Sequence, residues 1–248
     1  MGIATDLSTA FDPVRLAEQV GMPPDPWQAD VLRSDSRQLL LNCSRQSGKS
    51  TITAIMALHQ ALYTPRALIL LLSPSLRQSQ ELYATLRHFY ALVGAQQVPV
   101  DVESALRMRL TNGSRIISLP GKEQTVRGYA GVTLLVVDEA SRVEDDLYFS
   151  IRPMLAVSGG RLIALSTPAG KRGWWHEQWT DGGDAWKRVQ MTAEQCPRIS
   201  SEWLEEERAS IGPWWFAQEY LCRFMETDDQ LYRDDDIQAA LDPSVLPL

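Results

Sequence analysis

Cysteine is scarce in this chain: Cys43, Cys196 and Cys222 are the only three in 248 residues, and no two form a C-x-x-C pair. That spacing supports neither a disulfide framework nor a zinc site, and it suits a reducing compartment. Histidine is as sparse. His59, His88 and His176 stand apart, and each reads as an ordinary surface or core side chain. No apolar run approaches the roughly 20 residues that span a bilayer. The N-terminus lacks the charged and apolar regions of a secretory signal. An excess of positive charge is missing too: 24 Lys and Arg stand against 31 Asp and Glu, for a net charge of −7. Contact with nucleic acid then requires locally clustered basic residues or a transient encounter. Internal repeats and low-complexity tracts are absent.

What is present is a chain long enough for one large α/β domain or a domain with a small appendage. Its most informative stretch is Asn42-Cys43-Ser44-Arg45-Gln46-Ser47-Gly48-Lys49-Ser50, followed by Thr51. It comes after Leu39-Leu40-Leu41 and opens an apolar-periodic segment. The spacing fits the phosphate-binding loop G-x-x-x-x-G-K-[ST], except that Cys43 holds the first glycine slot. Gly48, Lys49 and Ser50 close the loop onto a helix N-terminus, where free N–H groups and the helix dipole favour phosphate. Lys49 is expected to reach the β- and γ-phosphates and Ser50 to ligate Mg²⁺.

A second motif, Thr133-Leu134-Leu135-Val136-Val137-Asp138-Glu139, stands at a suitable distance. It predicts a parallel strand buried on both faces that ends in two carboxylates, where open α/β sheets bind ligands. Asp138 is expected to hold Mg²⁺ and Glu139 to act as general base on water. A Glu directly after the Asp points to ATPases that carry their base on this strand, and away from GTPases, which use a Gln.

The remaining pattern alternates strands and helices, which implies a mostly parallel sheet. Predicted strands are Gln38–Asn42, Ala67–Leu72 and Arg161–Leu165, with a hairpin turning at Asn112-Gly113. Predicted helices cover Ser50 to Tyr63, Leu76 to Phe89, Asp145 to Ala156, Ser201 to Ser210 and Pro213 to Phe224, with a short helical pattern from Trp27 to Leu32. The first 25 residues show no clear element. The paired tryptophans 174–175 and 214–215 read as packing rather than as base-stacking platforms. Asp228 to Asp236 read as a solvated acidic tail.

Taken together, these residues resemble the ATPase domain of the large terminase subunit of tailed bacteriophages. The loop Ser44–Ser50 is similar to that family's phosphate loop, which often lacks the first glycine and carries a mid-loop arginine, here Arg45. Trp27-Gln28 is similar to its adenine-contacting element. Arg127-Gly128 matches its arginine-glycine pair, Ser166-Thr167-Pro168 its coupling motif, and Gln218-Glu219-Tyr220 with Phe224 a segment near the end of the ATPase region.

The resemblance implies a P-loop NTPase of the additional-strand catalytic-Glu type with a small helical lid. Expected boundaries are an N-terminal segment at 1–26, a core at 27–190, a lid at 191–226 and an acidic linker at 227–248, without the nuclease domain that normally follows. The implied function is Mg²⁺-dependent ATP hydrolysis driving double-stranded DNA into a procapsid. The implied partners are DNA, the portal, the small terminase subunit and further copies in a ring, in the host cytoplasm and with no membrane. Arg45 and Arg127 would neutralise transition-state charge, Arg127 across a subunit interface. Arg127 can equally be a DNA contact or a plain surface arginine, Trp27 a core residue, and Thr167 a turn or capping residue. A helicase-like nucleic-acid-dependent ATPase and a nucleotide-binding assembly module are the alternatives.

Overall fold

The computed structural model describes residues 3–94, 98–121, 126 and 128–226. Eight strands form one sheet: β1 (Gln38–Cys43), β2 (Leu68–Ser73), β3 (Val100–Ser104), β4 (Arg107–Leu110), β5 (Arg115–Pro120), β6 (Leu134–Asp138), β7 (Arg161–Ser166) and β8 (Trp186–Met191). Their spatial order is β3-β4-β5-β2-β6-β7-β1-β8. Neighbours are parallel from β5 through to β8, and only β3–β4 and β4–β5 are antiparallel.

The central strands are apolar on both faces because both faces are covered. Leu39, Leu41, Ile69, Leu71, Leu134 and Val136 face one helical layer. Leu40, Leu70, Leu72, Leu135 and Val137 face the other. The first layer is built by α2 (Pro13–Gln19), α3 (Pro26–Leu32), α4 (Lys49–Tyr63) and α5 (Leu76–Phe89), with α1 (Ile3–Phe11) packed on α2. The second is built by α6 (Asp145–Ile151) and α7 (Gly173–Thr180). This is the α/β architecture of P-loop NTPases.

Beyond β8 the chain forms α8 (Ser201–Glu219), which breaks at Gly212 (φ 80°) just before Pro213. A positive φ followed by a residue without an N–H cannot continue a helix. The two halves fold back around a small cluster of Ala193, Leu204, Phe216 and Tyr220, separate from the two sheet cores. Among the described residues no helix is long and apolar enough to cross a membrane.

Several elements differ from the sequence expectation. The first 25 residues form α1 and α2. Asp12 starts α2 by accepting the Val14 N–H (3.1 Å), with Pro13 at the first helical position, a favourable start that was there to be read. The predicted helix 145–156 is α-helical only to Ile151 and continues as a 3₁₀ turn over Arg152–Leu155, which contains Pro153. The last helix stops at Glu219 instead of Phe224, and Cys222 (φ 56°) turns the chain back toward β1. Strand β8 and helix α7 were not expected. The acidic tail at 227–248 lies outside the described residues.

Trp174 and Trp175 are buried and belong to the second core, in line with the packing expectation for that pair, whereas Trp215 of the other pair is exposed. Trp174 stacks flat on Tyr148, with centroids 4.1 Å apart and planes 5° from parallel. Its indole N–H donates to the Val143 carbonyl (3.0 Å) and its backbone N–H to Asp145 (2.8 Å). One side chain thus ties α7 to the segment that follows β6. Trp174→Ala is expected to cost about 3–5 kcal/mol of folding stability, the range for truncating a buried aromatic, and Trp174→Phe distinctly less. Chemical denaturation of the two variants measures both.

Candidate nucleotide site

All the parallel strands present their C-terminal ends at one edge of the sheet. There β1 runs through loop 44–48 into α4, whose first residue is Lys49. The loop depends on Gly48, which is left-handed at φ 84° and caps the helix. A Cβ at this position would come within 2.7 Å of the Gln28 amide nitrogen and 3.3 Å of an Arg198 guanidinium nitrogen. Inside the loop the Ser47 hydroxyl donates to the Ser44 carbonyl (2.8 Å), and the buried Lys49 ammonium curls back toward the same oxygen at 3.4 Å. Cys43, in the missing-glycine slot, is fully buried. Burial pushes its thiol up to about 12, so it is an inert small side chain under the loop.

Strand β7 lies between β1 and β6, pairing with each. Across it, the Ser50 hydroxyl at the start of α4 meets both Asp138 carboxylate oxygens, at 3.4 and 3.3 Å. Asp138 is buried, and burial followed by the neighbouring Glu139 charge raises its pKa to about 6. Glu139 follows in the left-handed region (φ 50°, ψ 44°), with its N–H donating to Asp138 (3.0 Å). That conformation is costly for a residue with a side chain and is found at sites where geometry matters more than comfort. Loop residues Arg45, Gln46, Ser50 and Thr51 on one side, and Glu139 and Arg142 on the other, line a cleft of about 580 Å³.

A third carboxylate, Glu219 at the end of α8, enters this site almost wholly buried. It accepts from the Arg45 Nε (2.7 Å) and the Thr167 hydroxyl (3.2 Å), and Arg142 lies 3.6 Å away. Its carbonyl receives the Arg45 N–H (3.2 Å). Arg142 also lies 3.7 Å from Glu139. Arg45 is therefore turned toward α8 in this structure, and the charge assistance from Glu219 raises its already high pKa. Next to Thr167, the Ser166 hydroxyl pairs with Ser141 (2.7 Å), while Pro168 is buried.

On the opposite flank, both ends of the Gln28 amide are held by main chain. Its oxygen accepts the Asp25 N–H (2.9 Å), and its nitrogen donates to the Ser47 carbonyl (3.0 Å). Trp27 is half-buried and packs against the first core.

The structure therefore gathers Ser44–Thr51, Asp138, Glu139 and Ser166–Pro168 at one sheet edge, with Gln28 bracing the loop from behind. Arg127 lies outside the described residues. Sequence reasoning gave no site role to Arg142 or Arg198, and placed Glu219 only in a resembling segment. Glu219 carried a signal: it is an acid ending the run Trp214-Trp215-Phe216-Ala217-Gln218. Arg198, in Cys196-Pro197-Arg198, carried none.

The shift on Asp138 has a consequence for stability. A carboxylate whose folded pKa lies above its unfolded value binds extra protons in the folded state. Its charge then costs stability as pH rises from about 4 to about 6. Asp138→Asn is thus expected to stabilise the free protein above pH 6, by up to about 3 kcal/mol at 1.36 kcal/mol per unit, and to leave it unchanged below pH 4. Denaturant melts of both proteins across pH 4–8 check the sign and the window.

Comparison with known proteins agrees with this geometry. Residues 40–239 match the family "Terminase large subunit, T4likevirus-type, N-terminal". The large terminase subunit of Escherichia phage T5 is 25% identical over 228 residues, covering 86% of this chain and 51% of that protein. The chain spans about half the length of the phage proteins it matches. Among solved structures, the Thermus phage P74-26 large terminase ATPase domain superimposes with a TM-score of 0.75 at 21% identity, covering 84% of this chain and 97% of that one. The large terminase of the thermophilic bacteriophage D6E in complex with ADP superimposes at 0.63 with 13% identity, covering 85% and 53%. The chain belongs to the terminase large subunits of phages, and it carries that family's N-terminal region.

Proposed function

We propose that this chain hydrolyses ATP with Mg²⁺ and that hydrolysis drives double-stranded DNA into a procapsid. The carrying observation is the approach of the Ser50 hydroxyl to both oxygens of Asp138 across β7, with Glu139 next in the chain. A hydroxyl and one carboxylate are hard oxygen donors, which suits Mg²⁺ held in part by substrate phosphates. A buried carboxylate destabilised by its own charge also gains from a cation.

Ser50 and Asp138 would hold Mg²⁺, whose charge offsets that building on the β- and γ-phosphates. Lys49 and the loop main chain would cradle those phosphates, which draws Lys49 away from Ser44. Glu139 would take a proton from the attacking water through its carboxylate. Gln28 would contribute by fixing Ser47, and Trp27 by packing beside it.

Arg45 neutralises transition-state charge only after leaving Glu219. Because Glu219 also holds Thr167 at the tip of β7 and belongs to α8, that exchange would move α8 and couple turnover to mechanical work. The portal, the small terminase subunit and further copies of the chain are the proposed partners, with Arg127 reaching a neighbouring subunit's nucleotide.

Turnover of ATP by the purified chain, with and without double-stranded DNA and across protein concentrations, tests the reading. Glu139→Gln is expected to lower kcat by on the order of 10²–10⁴ while leaving nucleotide affinity within about threefold. A specific rate that rises with concentration and falls on Arg127→Ala supports a finger supplied in trans. Absence of turnover above the Glu139→Gln blank at every concentration defeats hydrolysis by this chain and leaves an assembly module, whereas strand separation of a duplex favours the helicase-like alternative.

A further inference from the structure

We propose that Arg198 forms the stacking surface for the purine base of the nucleotide. The inference rests on the nucleotide-site reading above and extends it to the base end, where the sequence motifs point to Gln28 and Trp27. The direction of the nucleotide follows from the site. Ser50, Asp138 and Glu139 place the metal and the attacked phosphate on the β6 side of the loop. The base is joined to the phosphates through the ribose and extends away from the attacked phosphate, past Gly48, beside which Gln28 of α3 and Arg198 of the segment after β8 stand.

Three side chains stand on that side. Gln28 is 5% exposed and both ends of its amide are already bonded to main chain. Trp27 is turned into the first core, and its indole nitrogen is buried. Arg198 keeps open surface, with 44% of its side chain exposed. One of its terminal nitrogens donates to Ser47 O (2.6 Å) and the other to the Asp25 carboxylate.

Bonds from its two terminal nitrogens fix the guanidinium plane, and 44% of the side chain stays exposed. Stacking on a flat cation uses a face and breaks neither bond. The Ser47 carbonyl accepts from Gln28 and Arg198 together, so the platform is registered to the phosphate loop through one atom. Because the stack touches a face of the base and not its edge, it should accept adenine and guanine alike.

Calorimetric titration of the intact chain with ADP, GDP and inorganic pyrophosphate, all with Mg²⁺, tests this. Arg198→Ala is expected to weaken ADP and GDP by a similar factor of about ten or more and to leave pyrophosphate within about twofold. Arg198→Lys keeps the charge without the plane and should recover only a minor part of the loss. It also serves as the reporting variant should the alanine protein fail to fold. Equal weakening of ADP and pyrophosphate overturns the proposal, since Arg198 would then merely brace the loop through Ser47. Unchanged ADP affinity overturns it as well. A wild-type chain that binds neither ADP nor pyrophosphate defeats the nucleotide reading itself, and the base platform with it.

Discussion

The separation between the phosphate loop and the strand bearing the acids is set by a single intervening strand. Adjacent strands lie about 4.8 Å apart, so with β7 between β1 and β6 the loop and Asp138 are held nearly 10 Å apart at the main chain. Ser50 reaches across that gap from α4 to both oxygens of Asp138. The parallel register also brings Ser166 level with Asn42 and Leu165 level with Asp138. Thr167 therefore emerges at the rim between loop and acid, where it meets Glu219.

Around this spacing the site is electrostatically unfinished. Asp138 is buried beside a like charge, Glu139 holds a conformation that side chains avoid, and Arg45 is engaged with Glu219. The first two are poor for stability, while the Arg45–Glu219 pair is a satisfied one that any use of Arg45 elsewhere must break. Strain and misplaced charge of this sort concentrate where function outranks stability.

Much of this was legible in the residues themselves. The loop at 43–50 and the strand ending in Asp138-Glu139 were readable because both couple an apolar run to a polar terminus at fixed spacing. The central strands β1, β2, β6 and β7 were readable because covering both faces leaves an uninterrupted aliphatic signal. Strand β8 was not, because only Trp186 and Met191 of its six residues are buried and the middle is polar. Helices α1 and α2 were passed over although Ile3, Leu7 and Phe11 recur at helical spacing: that stripe stays exposed, and α2, which buries Val14, Leu16 and Ala17, is only seven residues long. The contact of Glu219 with Arg45 spans 174 positions, and no local pattern encodes it. Gln28 was expected to contact adenine; that the Asp25 N–H and the Ser47 carbonyl occupy its amide depended on the fold.

The sheet order also bears on how this protein is born. Strand β1 leaves the ribosome early, yet the partners on its two edges are β7 and β8, and its pairing is complete only at Met191. For well over a hundred residues of synthesis the loop hangs from an unpaired strand with the aliphatic centre Leu39-Leu40-Leu41, the kind of segment that invites aggregation or chaperone capture. The nascent chain completes the cleft between loop and acids in nearly one step, after β8 has cleared the exit tunnel. Such late, long-range closure of a parallel sheet is intrinsically slow.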